Sequence, residues 1–297
     1  MTERLRDLVA AELAEPVDPR AARLAVAVAA RYRQAARAVL FYGSCLREKQ
    51  LDGLMLDFYL IVSDYRAAYG KSWLARANRL IPPNVFPFEA DDLACKYAVL
   101  SEADFARLCG PATDNPSVWA RFAQPARLAW VADEAAREAA ISATAMAAPT
   151  LIARTLPTLT SEPTDPLDIW RAAFALTYAA ELRAERGTRS GSIVDSDPER
   201  YRRFTPAVLD AARGLSVSQG RADALEGWRR TQRRGKRLTL LRLAKASATF
   251  AGGIDYLAWK INRHAGTQIE IRPWQRRWPI LGAITLLPKL LAKGAVR

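Results

Sequence analysis

The sequence predicts an α/β domain, a mainly helical second domain and an amphipathic C-terminal segment. Three observations carry this. Between residues 39 and 110, short β-prone runs alternate with helical spacing, the pattern of an α/β core. From Asp133 the composition turns Ala-rich, and residues 167–250 read as all-helical apart from a loop at 187–197. Beyond residue 250, Trp259, Trp274 and Trp278 stand among arginines ahead of an apolar stretch, Ile280 to Leu291, interrupted by Pro288. The domains are accordingly placed at residues 1–150, 151–250 and 251–297.

Residues 2–36 are rich in Ala, Leu, Arg and Glu at helical spacing and predict one or two helices. Strands are expected at Val39–Tyr42, Leu56–Val62, Val85–Phe88 and Ala94–Leu100. A helix is expected over Tyr65–Leu80, closed by Pro82-Pro83. Ser101, three residues before Asp104, reads as the N-cap of a helix Glu102–Leu108 that Gly110 ends. A long Ala-rich helix is expected over Asp133–Leu156, followed by a linker marked by Pro157, Pro163 and Pro166.

The most informative chemistry lies at Tyr42-Gly43-Ser44, followed thirteen residues after the serine by Asp57. Gly43 lets the backbone approach a phosphate closely, Ser44 adds a hydroxyl, and a helix starting near Cys45 would aim N–H groups at the same anion. Along the next strand Asp57, Tyr59 and Ile61 share one face, and Phe58, Leu60 and Val62 the other. A carboxylate at such a position calls for a partner, and a divalent cation is one. Gly-Ser on one strand and a carboxylate on the next is how nucleotidyltransferases of the polymerase β type hold a nucleoside triphosphate and Mg²⁺. The same residues also fit a tight glycine turn with Asp57 as an ordinary residue at the head of a strand. The usual second aspartate is missing, since Met55 and Tyr59 flank Asp57 at the two-residue spacing. Asp64, Glu89, Asp91 and Asp92 are the nearby carboxylates, and Asp64 is the one assigned to complete the metal pair.

Composition narrows the chemistry further. The 297 residues are half hydrophobic and a quarter charged, which is a globular balance. Cys45, Cys95 and Cys109 lack the spacing of a disulfide framework or zinc site and read as reduced, buried thiols. With His264 as the only histidine, zincin and His-rich metal chemistry are excluded. Catalysis would then use carboxylates, Lys or Arg, and a metal. The net charge of +13 lies entirely in residues 221–297, which hold 17 basic and 4 acidic side chains. Such a surface attracts nucleic acid, anionic lipid or an anionic substrate. No secretory signal and no transmembrane helix are expected, because the N-terminus is charged and the run Pro279–Leu287 is short.

Five motifs in order give a resemblance to a known family: Tyr42-Gly43-Ser44; Met55-Leu56-Asp57-Phe58 leading to Asp64; Lys96-Tyr97 with Val99-Leu100-Ser101; Ala120-Arg121-Phe122 with Pro125; and Tyr178-Ala179-Ala180-Glu181-Leu182-Arg183. Together they resemble the mitochondrial-type phosphatidate cytidylyltransferases, the translocator assembly and maintenance family of CDP-diacylglycerol synthases, which has bacterial relatives. The similarity covers roughly residues 39–185, with a looser one over Phe250–Gly266. Glu181 stands where the family has Asp, and Ala98 and Ala180 where it prefers glycine. The lone strand aspartate is a feature the family shares.

The resemblance implies transfer of CMP from CTP to phosphatidic acid, giving CDP-diacylglycerol and pyrophosphate with Mg²⁺ as cofactor. It implies that Tyr42, Gly43 and Ser44 hold the triphosphate, Asp57 and Asp64 the metal, and Lys96 and Arg121 phosphate oxygens. Glu181 and Arg183 would orient nucleotide or acceptor from the second domain. Each also has a structural reading: Lys96 as a solvated strand residue, Arg121 as a surface helix residue, Asp64 as a cap, Glu181 and Arg183 as separate surface residues. The Trp-bearing basic tail suits an anionic membrane surface, so a peripheral location on the cytoplasmic face is expected. A terminal helix packed on the protein fits the tail as well. Two other functions share the sequence evidence: nucleotidyl transfer to a soluble or protein acceptor, and nucleic-acid binding through Arg229–Arg237 after Trp228.

Overall fold

In a computed structural model the chain is described over residues 2–48, 50–161, 164–180, 193–215, 220–249, 262 and 270–277. Helices α1 (Glu3–Ala14) and α2 (Pro19–Ala30) open it. The second begins where Asp18 accepts the Arg20 N–H and Pro19 takes the first turn, a strong start signal. Next come β1 (Ala36–Tyr42), α3 (Ser44–Glu48), β2 (Met55–Val62), α4 (Tyr65–Ala68), α5 (Ser72–Leu80), β3 (Asn84–Ala90) and β4 (Leu93–Ser101). Helix α6 (Glu102–Cys109), capped by the Ser101 hydroxyl on the Asp104 N–H, α7 (Trp119–Phe122) and β5 (Ala126–Val131) complete this part.

The expected single helix over 65–80 is two. Tyr69 leaves α4 in an extended conformation and buries its ring against Tyr32, Tyr65 and Phe86, so burial of one aromatic overrides helical continuity. Strand β5 is an addition to the expected set.

The five strands form one mixed sheet in the order β3-β4-β2-β1-β5. Strand β2 runs antiparallel to β1 and parallel to β4, with β3 and β5 as antiparallel edges. Both faces are covered. Phe58, Leu60 and Val62 face α2, α4 and α5, burying Leu24, Val28, Tyr65 and Tyr69 with them. Tyr59, Ile61 and Leu40 face the opposite layer of helices.

That layer holds α1, α6 and α7 together with α8 (Glu134–Ala145), α9 (Ala147–Thr155), α10 (Pro166–Tyr178), α11 (Pro198–Arg213) and α12 (Arg221–Thr249), with a short α13 (Pro273–Arg277) beyond. The expected helix over 133–156 is interrupted only by a turn at Met146, which keeps helical backbone angles, φ −80° and ψ −17°. Residue 150, where the first domain is expected to end, falls inside α9. Leu151, Trp170, Phe174, Tyr201, Phe204 and Trp228 share one hydrophobic core with Leu40, Tyr59 and Ile61 of the sheet. The physical reason is that a sheet buried on both faces needs the second layer as cover. Residues Glu134–Thr158 are apolar and long enough to cross a membrane, yet 72% of that apolar window is buried inside the protein.

Two contacts seat α12. A Cβ on Gly235 would overlap the Ala180 carbonyl, so the helix crosses the end of α10 at a distance that only glycine permits. Further along, Arg242 Nε donates to Pro82 O at 2.9 Å, and Lys245 Nζ donates to the carbonyls of Ile81 and Pro83. Burial, reinforced by neighbouring Arg242, pushes the Lys245 ammonium down to about 7. The unfolded chain therefore binds more protons than the folded one between about pH 7 and the ordinary lysine value of 10.5. Stability to denaturant is expected to gain a contribution from Lys245 as pH rises from 7 to about 9. Lys245→Met should flatten that part of the profile in parallel urea titrations, and an unchanged slope would refute it.

Candidate active site

The strand registers align one row across the whole sheet. Tyr42 pairs with Asp57, Asp57 with Lys96, Lys96 with Pro87, and Tyr42 on its other side with Ala126. Directly opposed residues project to the same face, so Tyr42, Asp57 and Lys96 stand side by side at the end of the sheet where β1 finishes. Sequence periodicity puts Asp57 on a face, but only the register puts Lys96 next to it.

Lys96 Nζ lies 3.1 Å from Asp57 Oδ1, with the two side chains 35% and 18% exposed. Gly43 occupies the turn directly after Tyr42 with φ +95°, and a Cβ there would sit 2.9 Å from Asp57 Oδ2. The glycine is therefore required twice, by its left-handed backbone and by the carboxylate against it. Helix α3 starts at Ser44, so the predicted glycine-serine-helix succession is present, though the helix is only five residues long.

The same carboxylate is felt by the neighbouring thiols. Burial, with the Asp57 charge adding to it, pushes Cys95 up to about 12 and raises Cys45 as well. Both thiols are thereby shifted away from the reactive thiolate form.

Tyr42 supports the row from the helical side. Its ring packs on Tyr59 at 5.2 Å and on Phe122 at 5.9 Å, and Phe122 also meets Tyr59 at 5.1 Å. This packs α7, the helix that carries Arg121, against Tyr42 and Tyr59. The Arg121 guanidinium donates to the Ser117 carbonyl, four residues earlier. Arg47 was not foreseen. It lies three residues beyond Ser44, and its Nη1 donates to Gln124 Oε1 at 3.1 Å, tying α3 to the segment that carries Arg121. Its helical spacing from Ser44 was the available signal.

Asp64 is corrected as a metal partner. It caps α4, accepting the Arg66 and Ala67 N–H groups at 2.7 and 3.1 Å. It also lies two residues past the end of β2, whose run from Asp57 to Val62 alone spans about 16 Å, so the two cannot share an ion. Asp91 pairs with Arg23, and Asp91 and Asp92 form the β3–β4 turn with positive φ. Glu89 alone of these carboxylates shares the Asp57 face. It opposes Ala94 two residues along, with its backbone about 12 Å from that of Asp57 by strand geometry. Glu181, Arg183, His264, Trp259 and Trp278 lie outside the described residues.

Trp228 is buried to 4% exposure, stacked edge-on against Trp119, with its indole N–H donated to the Arg154 carbonyl. Buried in this way it offers no exposed ring face for a base to stack on.

The pattern is thus a carboxylate held between a left-handed glycine turn and a lysine, at the sheet end where α3 begins with Ser44. Gly43→Ala is expected to strain the turn by about 1–2 kcal/mol and to displace Asp57. If the row is catalytic, turnover should fall by about 10²-fold, far more than the melting temperature suggests. Parallel activity and melting measurements check this. Compared with protein-family models and with curated proteins, the chain matches none.

Proposed function

We propose that the chain is a nucleotidyltransferase of the polymerase β-like type, acting as a CTP:phosphatidate cytidylyltransferase. The observation that carries the nucleotidyl-transfer part is the alignment of Gly43, Asp57 and Lys96 at one sheet end, with the glycine turn in contact with the carboxylate. Cytidine as the base and phosphatidic acid as the acceptor rest on the ordered motifs from Tyr42 to Arg183.

In this reading a phosphatidate oxygen forms a bond to the α-phosphorus of CTP as the bond to the bridging oxygen breaks. Pyrophosphate departs with the electron pair. Gly43 and Ser44 receive the triphosphate, and Lys96 turns from Asp57 to a phosphate oxygen. Arg121 supplies further positive charge from α7. Most of the rate then comes from positioning and charge stabilisation.

The donor set fits Mg²⁺ in a limited way. Among the described residues no group of three His, Cys, Asp or Glu side chains could hold an ion. Mg²⁺ is commonly held by one or two carboxylates together with substrate phosphates, and Asp57 meets that requirement. Asp57 would hold Mg²⁺ arriving with the nucleotide, where the ion neutralises charge on the departing pyrophosphate.

The test is purified protein with labelled CTP, Mg²⁺ and phosphatidate in vesicles. Formation of labelled CDP-diacylglycerol supports the reading. Labelling of a soluble or protein acceptor instead would keep nucleotidyl transfer and discard the lipid. Absence of any transfer, with a salt-sensitive shift of DNA or RNA, would discard both. The basic tail and a peripheral membrane location belong to the same proposal, with the anionic surface as partner.

A further inference from the structure

Helix α5 turns an unusual face to solvent. Trp73 is 47% exposed and Leu80 79%. At about 100° per residue they stand within roughly 20° of each other on one stripe, with Arg76 beside them. The stripe cannot rotate inward, because the opposite side of α5 is anchored. Ala75 and Asn78 are buried, Asn78 Nδ2 donates to Val99 O at 2.9 Å, and Asn84 Nδ2 donates to Leu74 O at 3.1 Å.

The surrounding charge has one sign. From residue 65 to residue 88 the chain carries Arg66, Lys71, Arg76 and Arg79 and no Asp or Glu. All four cations are exposed, and among the described residues none is ion-paired with a carboxylate. A third exposed apolar side chain stands on the helix that reaches this region. Leu241, 51% exposed, precedes Arg242, which is bonded to the Pro82 carbonyl two residues beyond Leu80.

We propose that this face of α5, with Leu241 at its edge, is a docking surface for an anionic phospholipid bilayer. Trp and Leu on one stripe can enter the headgroup boundary while the flanking cations stay at the level of the lipid phosphates. A nine-residue helix spans about 13 Å, so it lies on the bilayer rather than crossing it. Nucleic acid would engage the cations but gain nothing from Leu80 and Leu241. A second copy of the same face would set four cations against four. The surface flanks edge strand β3, two strands from the β2 that bears Asp57. It adds a folded contact to the one expected of the tail, and it deepens the membrane part of the proposed function without using the Asp57 row.

Flotation of the full-length chain tests it, using vesicles of phosphatidylcholine mixed with phosphatidylglycerol and vesicles of phosphatidylcholine alone, both without phosphatidate. Trp73→Ala/Leu80→Ser should weaken binding to the anionic vesicles roughly tenfold or more. Arg76→Ser/Arg79→Ser should weaken it similarly and lessen its salt dependence. Melting temperatures should stay near that of the parent, since all four positions are exposed. Unchanged flotation of both variants would overturn the proposal. So would a changed sedimentation state with unchanged flotation, which would assign the face to a second copy, or loss of a DNA shift alone, which would assign it to nucleic acid. Asp57→Asn should float like the parent, so failure of docking and failure of nucleotidyl transfer are read separately.

Discussion

Asp57→Asn is expected to lower nucleotidyl transfer by about 10³-fold while leaving the protein folded. The substitution keeps the shape beside Gly43 and removes the charge that would face the metal and hold Lys96. Losing one preorganised electrostatic contact at a phosphoryl centre is on the scale of ~4 kcal/mol. The structural cost is much smaller. The Asp57–Lys96 pair is partly exposed, and pairs of that kind contribute about 0–1 kcal/mol. Single-turnover transfer and a thermal melt on the same preparation separate the two effects. Near-normal turnover would remove Asp57 from the site, and the nucleotidyl reading would lose its central residue.

The largest effect on stability is expected at Glu12 and Arg200. Arg200 Nη2 donates to Glu12 Oε1 at 2.9 Å, its Nε donates to the other carboxylate oxygen, and its Nη1 donates to Ala123 O at 3.1 Å. The guanidinium also lies 4.5 Å from the Phe204 ring centroid and 4.9 Å from that of Tyr201. The side chains are only 4% and 5% exposed, so neither charge has water to fall back on. Glu12→Gln should cost about 3–5 kcal/mol by leaving a buried cation uncompensated. At about 2–4 °C per kcal/mol, melting should fall by roughly ten degrees. Glu12→Leu/Arg200→Met, which removes both charges, should recover most of the loss. If the double variant were as unstable as the single, the burden would lie in packing rather than in the unpaired charge. The pair also joins α1 and α11 to the end of α7, next to Arg121, so a rise in Arg121 mobility should accompany the single variant.

Much of the local structure was legible because its causes are local. Ser101 announces a helix start through its own hydrogen bond, and the alternation of residues 56–62 assigns the two faces of β2 without outside help. Where the expectation failed, a distant partner was responsible. Tyr69 ends α4 early to reach Tyr32 and Phe86, which lie on other elements. Trp228 stands just ahead of a basic run, and the fold draws its indole into the core against Trp119 and the Arg154 carbonyl. Asp64 resembled a metal ligand by proximity in sequence, and an extended strand turned that proximity into distance.

For the site, the sequence by itself determined the Gly43-Ser44 turn, the face on which Asp57 lies and the concentration of net charge after residue 220. These follow from backbone freedom, strand periodicity and composition, all of which act within a few residues. Only the tertiary structure decided that Lys96 stands beside Asp57, that Phe122 packs α7 against Tyr42, and that Arg200 meets Glu12 across 188 residues of chain. Those placements depend on strand register and on which helix covers which face. Register is set by burying both sides of the sheet at once, a requirement of the whole fold that no short stretch of the chain contains.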